Sequence, residues 1–157
     1  MLLVGHSYGG AVITEAGDLP NVVGLVYVAA FAPDAGESPG QISEQMPSAA
    51  FENVVPDSDG YLWIKQDKFR ESFGQDLSED EGLVVAVTQK APLAHGKVKP
   101  AWYQVSTQDR MIHPDSERRM AQRVNPRRIV ELDASHASLA SQPAAVVDLI
   151  DEAVHDL

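Results

Sequence analysis

Apolar residues fall in short runs separated by polar stretches marked with glycine and proline, and the runs differ in period. Met1 to Gly5, MLLVG, is a short apolar strand. Tyr8 to Ala16 reads as a helix whose first turn, Gly9, Gly10 and Ala11, is small enough to lie close against a strand, and Gly17, Asp18 and Pro20 end it. Asn21 to Phe31, NVVGLVYVAAF, is apolar on both alternating sets of positions, as in a parallel strand covered on both faces. After a long irregular stretch the alternation resumes. Ala101 to Ser106 is a strand, HPDSERRMAQRV a helix with Pro114 and Asp115 in its first turn, and RRIVEL a second strand. SQPAAVVDLIDEAV is a closing helix, with Ser141 as cap and Pro143 in the first turn.

The stretch Ala32 to Pro100 holds much of the proline, the turn signal PDSDG at Pro56 to Gly60, and two amphipathic pieces, KQDKFRESF and LSEDEGLVVAVTQ. In the second, Ser78 and Glu81 have capping-box spacing ahead of an apolar run. It reads as an irregular, partly helical insertion, about residues 34–99, of the kind that covers an active site. The element order implies an α/β fold with a mainly parallel sheet and helices on both faces. With 157 residues and 44% hydrophobic content, the expectation is one domain over 1–157.

Composition narrows the function. A formal net charge of −11, from 23 acidic against 12 basic residues, repels phosphate backbones and anionic headgroups, so neither nucleic acid nor a membrane surface is an expected partner. The absence of cysteine excludes disulfides, a thiolate nucleophile and thiolate metal sites. No apolar run approaches the roughly 20 residues that span a bilayer. MLLV lacks the charged flank of a signal peptide, so a cytoplasmic location is expected. The acidic run DLSEDEG reads as a solvated helix start rather than a metal site, because its spacing does not make oxygen ligands converge. No metal or cofactor is expected.

The chemistry-bearing signal is GHSYG, residues 5 to 9. It matches G-x-S-x-G, a strand-to-helix turn that presents a serine, with Gly5 and Gly9 relieving crowding around Ser7. A serine hydroxyl needs a base in hydrogen-bond reach and a carboxylate to orient that base. Of the histidines, His95 lies in the insertion, His113 opens a helix and His155 is in the C-terminal helix. His6 stands beside the serine and points away from it, which leaves it a candidate for substrate binding. His136 follows the last strand, at the end where a parallel sheet gathers its site residues, and is the best base. Asp109 occupies the corresponding loop after the preceding strand. Asp133 is too near His136 in sequence to be the better partner, and Asp115 suits the first turn of a helix. Trp63 and Tyr61 are candidates for lining an acyl pocket or for the core of the insertion itself.

The order Ser7, Asp109, His136 and the segments LVGHSYGGAV, VGLVYVAAFAPDAGES, WYQVSTQDRMIHP and SHASLASQP resemble the α/β-hydrolases, in the branch of bacterial carboxylesterases and the plant methyl esterase and hydroxynitrile lyase group. The resemblance implies a partial α/β-hydrolase fold from the nucleophile strand onward. It also implies Ser7 as nucleophile, Asp109 as acid, His136 as base, the Tyr8 backbone N–H as an oxyanion donor, a covering insertion, and a small-molecule ester substrate cleaved through an acyl-enzyme. In that family further strands and a second oxyanion donor precede the nucleophile, so Leu2 to Val4 is expected to be an open sheet edge suited to self-association, and an impaired, hydrolase-like module is an alternative. Lyase members carry lysine after the histidine. Here Ala137 stands there, which favours hydrolysis over cyanohydrin cleavage.

Overall fold

The computed structural model describes residues 1–58, 61–89 and 100–157. Four parallel strands form the main sheet: β1 (Leu2–Ser7), β2 (Gly24–Ala30), β5 (Ala101–Ser106) and β6 (Arg128–Leu132), in the order β1-β2-β5-β6. β2 and β5 are buried along their whole length; for β2 the two-sided apolar pattern requires it, while β5 also buries Gln104 and Ser106. Alternation sorts their side chains. Leu25 and Tyr27 of β2 join Tyr103 and Val105 of β5 on one face, while Val26, Val28 and Trp102 point to the other.

The first face is covered by α1 (Gly9–Ala16) through Ala11 and Ile13 and by α5 (Pro114–Val124) through Met120 and Ala121. The second is covered by the closing helix α7 (Pro143–His155) through Val146, Leu149 and Ala153. Each fully buried large side chain among these contributes about 1.5–3 kcal/mol. One polar pair in this core is satisfied locally. The Thr14 hydroxyl donates to the Gly10 carbonyl at 2.8 Å and so accepts from the Tyr27 hydroxyl, also at 2.8 Å.

One helix start differs from the sequence expectation and another agrees with it. Ser141 does not cap the closing helix: it ends a short helix, α6 (Ser138–Ser141), and α7 begins at Pro143 after Gln142, whose side chain makes no capping bond. The helix after β5 is capped by His113, whose Nδ1 accepts from the Asp115 N–H at 3.2 Å.

Between β2 and β5 lie α2 (Pro39–Gln45), a two-stranded antiparallel hairpin of β3 (Val54–Pro56) and β4 (Leu62–Ile64), α3 (Phe69–Phe73) and α4 (Glu79–Thr88). Residues 59 and 60 of the expected turn, and His95, fall outside the described residues. Ser78 and Glu81 form the capping box, each side chain bonded to the other residue's backbone N–H. The α4 helix is not amphipathic as expected. Gly82 and Ala86 are its buried residues, while Leu83, Val84 and Val87 are each at least 60% exposed. Ile64, Phe69 and Ala86 make a small core of this segment, with Phe73 and Met111 packed against it.

Candidate active site

The chain turns sharply at the end of β1. The register with β2 slips between His6 and Ser7, skipping Ala29, and both Ser7 (φ 55°) and Ala29 (φ 41°) take the left-handed conformation that side chains disfavour. A methyl on Gly5 would sit 2.5 Å from the Gly9 carbonyl oxygen, so the turn folds directly over this position. Gly9 does not relieve crowding as the motif suggested: a Cβ there meets nothing within 4 Å. The close approach belongs to Gly10, where a Cβ would lie 2.2 Å from the Phe31 carbonyl oxygen at the end of β2.

Three loops at the same end of the sheet bring their polar groups together. Ser7 Oγ lies 2.6 Å from His136 Nε2, and His136 Nδ1 lies 2.5 Å from Asp109 Oδ2. The imidazole and the carboxylate are both fully buried. The other Asp109 oxygen, Oδ1, accepts the backbone N–H groups of Met111 (2.7 Å) and Ile112 (2.9 Å), which fixes the carboxylate's orientation. With Asp109 accepting from Nδ1–H, Nε2 carries the lone pair that faces Ser7. The arrangement can take a proton from the serine hydroxyl and hold it beside a carboxylate.

His6 points away from Ser7. Its Nε2–H donates to the His136 carbonyl at 2.6 Å, and its ring packs on Phe73 and against the His136 ring. Burial, chiefly, and the neighbouring His136 push its pKa down to about 4, so it stays neutral and works as a donor. Phe73 of α3 also meets the His136 ring edge to face, with centroids 4.6 Å apart. Tyr8 opens α1, and its carbonyl accepts from Ala11 N–H at 3.0 Å. Trp63 lies on the β4 strand, 36% exposed, and its indole N–H donates to Asp57 at 2.8 Å. Tyr61 is exposed beside it. Among the described residues no group of three His, Cys, Asp or Glu side chains converges as a metal site needs, and no helix is long and apolar enough to cross a membrane.

A model of the alpha/beta hydrolase family matches residues 2–149, nearly the whole chain. The chain belongs to that family. Solved structures agree on the fold. A pyrethroid hydrolase from Sphingobium faniae matches with a TM-score of 0.71 and 22% identity, over 96% of this chain and 69% of its own. A polyneuridine aldehyde esterase matches at 0.76 and 14%, over 98% and 71%. A methylesterase from Arabidopsis matches at 0.75 and 17%, over 100% and 70%. No curated protein matches in sequence.

Two groups of this α/β-hydrolase chain escaped the sequence reading. Asp76, just after α3, accepts the Ser135 N–H at 2.9 Å and also the Ser135 hydroxyl, and so ties the residue before His136 to the segment that follows the β3–β4 hairpin. Burial alone would raise the Asp76 carboxyl, but the bonds from Ser135 and Ser141 hold it below its ordinary value. Nothing in its local sequence marks this role, because the partner lies 59 residues away. Glu117 is the second. It is fully buried on the inner face of α5, one helical turn before Met120 and Ala121. Its position on that apolar stripe was a signal the sequence did offer.

Proposed function

We propose that this chain hydrolyses small, largely apolar carboxylic esters, with Ser7 as nucleophile, His136 as base and Asp109 as the group that orients it. The observation that carries the reading is the unbroken hydrogen-bonded chain Ser7–His136–Asp109, ending on a serine held at a strained turn. In the reaction the Ser7 hydroxyl proton passes to His136 Nε2 as Oγ attacks the ester carbonyl. The imidazolium then returns it to the departing alkoxide, leaving an acyl-enzyme. Water attacks that intermediate, losing its proton to the same nitrogen, and as the acid departs the imidazolium returns that proton to Ser7 Oγ. The Tyr8 backbone N–H, at the start of α1, is the donor assigned to the oxyanion, where the helix dipole adds to the field. Phe73, edge-on to His136, gives the site an apolar wall, and the segment 34–99 serves as its cover. The ester-cleaving enzymes among the structural neighbours support the substrate class.

A fluorophosphonate probe tests this directly. The folded chain should be labelled once, and Ser7→Ala should abolish labelling while leaving the melting temperature within a few degrees. Labelling that survives Ser7→Ala, or a folded parent that is never labelled, refutes the assignment.

A further inference from the structure

Glu117 is wholly shielded from solvent, and the chemistry above does not use it. A buried carboxylate has to be compensated by donors or lose its charge. Its Oε2 accepts the Ser106 backbone N–H at 3.2 Å, and Oε1 is met by no N–H or O–H donor among the described residues. The Asp109 side chain lies within hydrogen-bonding reach. Two carboxyl groups in contact in a dry site share one negative charge, and the better-solvated one keeps it. Asp109 has the backbone N–H groups of Met111 and Ile112 and the His136 ring converging on it. Glu117 has one N–H.

The other ionisable groups around Glu117 do not change this division. Tyr103, on β5, donates its hydroxyl to the Ala30 carbonyl and is not available as a donor. Arg118, the next residue on α5, pulls the other way, but its guanidinium is engaged at the surface by Asp115 (2.8 Å) and Glu131 (2.7 Å). Burial first, and the Asp109 charge second, raise the Glu117 carboxyl well above the ordinary carboxylate range.

We propose that Glu117 is a positioning residue: its carboxyl O–H donates to Asp109, fixing that carboxylate beneath the His136 ring and limiting the negative charge the ring feels. The proposal rests on reading Ser7, His136 and Asp109 as the working groups of an esterase. It adds a fourth member to the chain, with Glu117 and His136 both donating to Asp109 and Ser7 donating to His136.

Two variants of near-native volume separate the donor from the filler. Glu117→Gln keeps both contacts, its amide oxygen accepting from Ser106 and its N–H donating to Asp109. Glu117→Met removes both. Hydrolysis of a chromogenic acetate ester across pH gives kcat, KM and the acid limb of kcat/KM, and the proton between His136 Nδ1 and Asp109, identified by its loss in His136→Ala, is followed by NMR. The Gln variant should stay within about threefold of the parent with its acid limb unmoved. The Met variant should lose about tenfold in kcat at unchanged KM, with the acid limb displaced upward by about 0.5–1 pH unit because the undrained Asp109 charge favours the imidazolium. A downward displacement in the Gln variant would mean that an ionised Glu117 had been supporting the imidazolium, and overturns the proposal. So does a Met variant indistinguishable from Gln. If Glu117→Met does not fold, the acid limb of Glu117→Gln alone decides. If parent and variants all lack esterase activity, the esterase reading falls and the NMR signal decides for Glu117. The same resonance in parent and Gln, displaced in Met, supports the donor role, and one unmoved by Met or displaced by Gln refutes it.

Discussion

The three glycines around the Ser7 turn occupy different environments, so adding one methyl group at each position should give three different results. In Gly10→Ala the new carbon would sit 2.2 Å from the Phe31 carbonyl oxygen and 2.7 Å from Ala30 Cβ. Ordinary contact is about 3.5–4 Å. Neither neighbour can yield cheaply, because Ala30 and Phe31 are buried at the end of β2. The α1 helix must therefore lift by more than an ångström, loosening Ala11 and Ile13 from the core they pack into. Overpacking of this kind costs about 3 kcal/mol at the upper end of its usual range, and the better helix propensity of alanine offsets about 1, leaving a net loss of about 2 kcal/mol. Gly5→Ala meets Gly9 oxygen at 2.5 Å, Gly9 carbon at 2.7 Å and Gly10 nitrogen at 2.8 Å, all backbone, and it lies in a strand where alanine gains no helical offset. A loss of about 3 kcal/mol is expected, with slower labelling of Ser7 because the turn that carries it must move. Gly9→Ala meets nothing within 4 Å and should be neutral or stabilising by up to about 1 kcal/mol. Urea unfolding of the parent and the three variants, compared at equal slope, reads all three values. A Gly10→Ala chain within about 0.5 kcal/mol of the parent, or a Gly9→Ala chain as unstable as Gly10→Ala, would refute the packing argument.

Two more perturbations test the surroundings of His136. His6 titrates at 6.5 when unfolded and at about 4 when folded, so below pH 6.5 the unfolded chain takes up a proton that the native chain refuses; stability attributable to this group falls with pH, by about 2 kcal/mol at pH 5, and is unaffected above 6.5. Unfolding measured at pH 7 and pH 5 should show that much less loss in His6→Gln than in the parent, and equal losses would remove the assignment. Asp76→Ala strips the acceptor from the Ser135 N–H and hydroxyl, Ser135 being 1% exposed, and should cost about 1–3 kcal/mol together with a slower labelling rate at Ser7. Calorimetry and probe kinetics check it: a full labelling rate in a folded Asp76→Ala chain would show that the tie does not position His136.

The sheet was legible in the sequence because β2 shows a simple pattern and the other strands alternate with helices. Residues 24–30 are apolar at both parities, which burial on two faces explains, whereas 101–106 carry Gln104 and Ser106 on one parity and are placed as a strand by the strand–helix alternation that follows them. The candidate site was legible for a related reason. Once the strands are assigned and taken as parallel, the loops after β1, β5 and β6 must open at the same end, and those loops carry Ser7, Asp109 and His136, with Asp133 set aside for lying too near His136 in sequence. Less could be read where contacts are distant or periods are short. The strands β3 and β4 are three residues each and mostly exposed, too brief to show alternation. On α4 an apolar run looked like a buried face but points outward, because its packing partner, Arg70, lies against Gly82 through its stem and selects the small-residue side. Gly9 and Gly10 cannot be distinguished from sequence at all, since which of them faces β2 depends on the rotation of α1.

The segment between β2 and β5 is joined to the site more by hydrogen bonds than by apolar burial, and this decides which parts of it matter for His136. Its own core is small, and the exposed side of α4 contributes nothing to the sheet. The connections gather instead on the loops after β5 and β6. Ala50 N–H donates to the Arg110 carbonyl at 2.8 Å, Arg110 donates to the Glu71 carbonyl at 3.1 Å, Gln75 donates to the Gln108 carbonyl at 2.8 Å, and Asp76 holds Ser135. From the other side the sheet holds the same loops, with Thr107 N–H bonded to the Leu132 carbonyl and Gln108 N–H to that of Ala134. His136 and Asp109 therefore sit between two frames. The sheet sets the direction from which each loop arrives, and residues 69–77 set how far the loops can relax once there. A change in that stretch, which holds Phe73 against the His136 ring and Asp76 against Ser135, reaches the imidazole through contacts of one residue or none. A change in the β3–β4 hairpin acts one step further away: it reaches that stretch through Ile64 packed with Phe69 and through the Asn53–Ser72 bond at 3.0 Å beside it, and only then the imidazole.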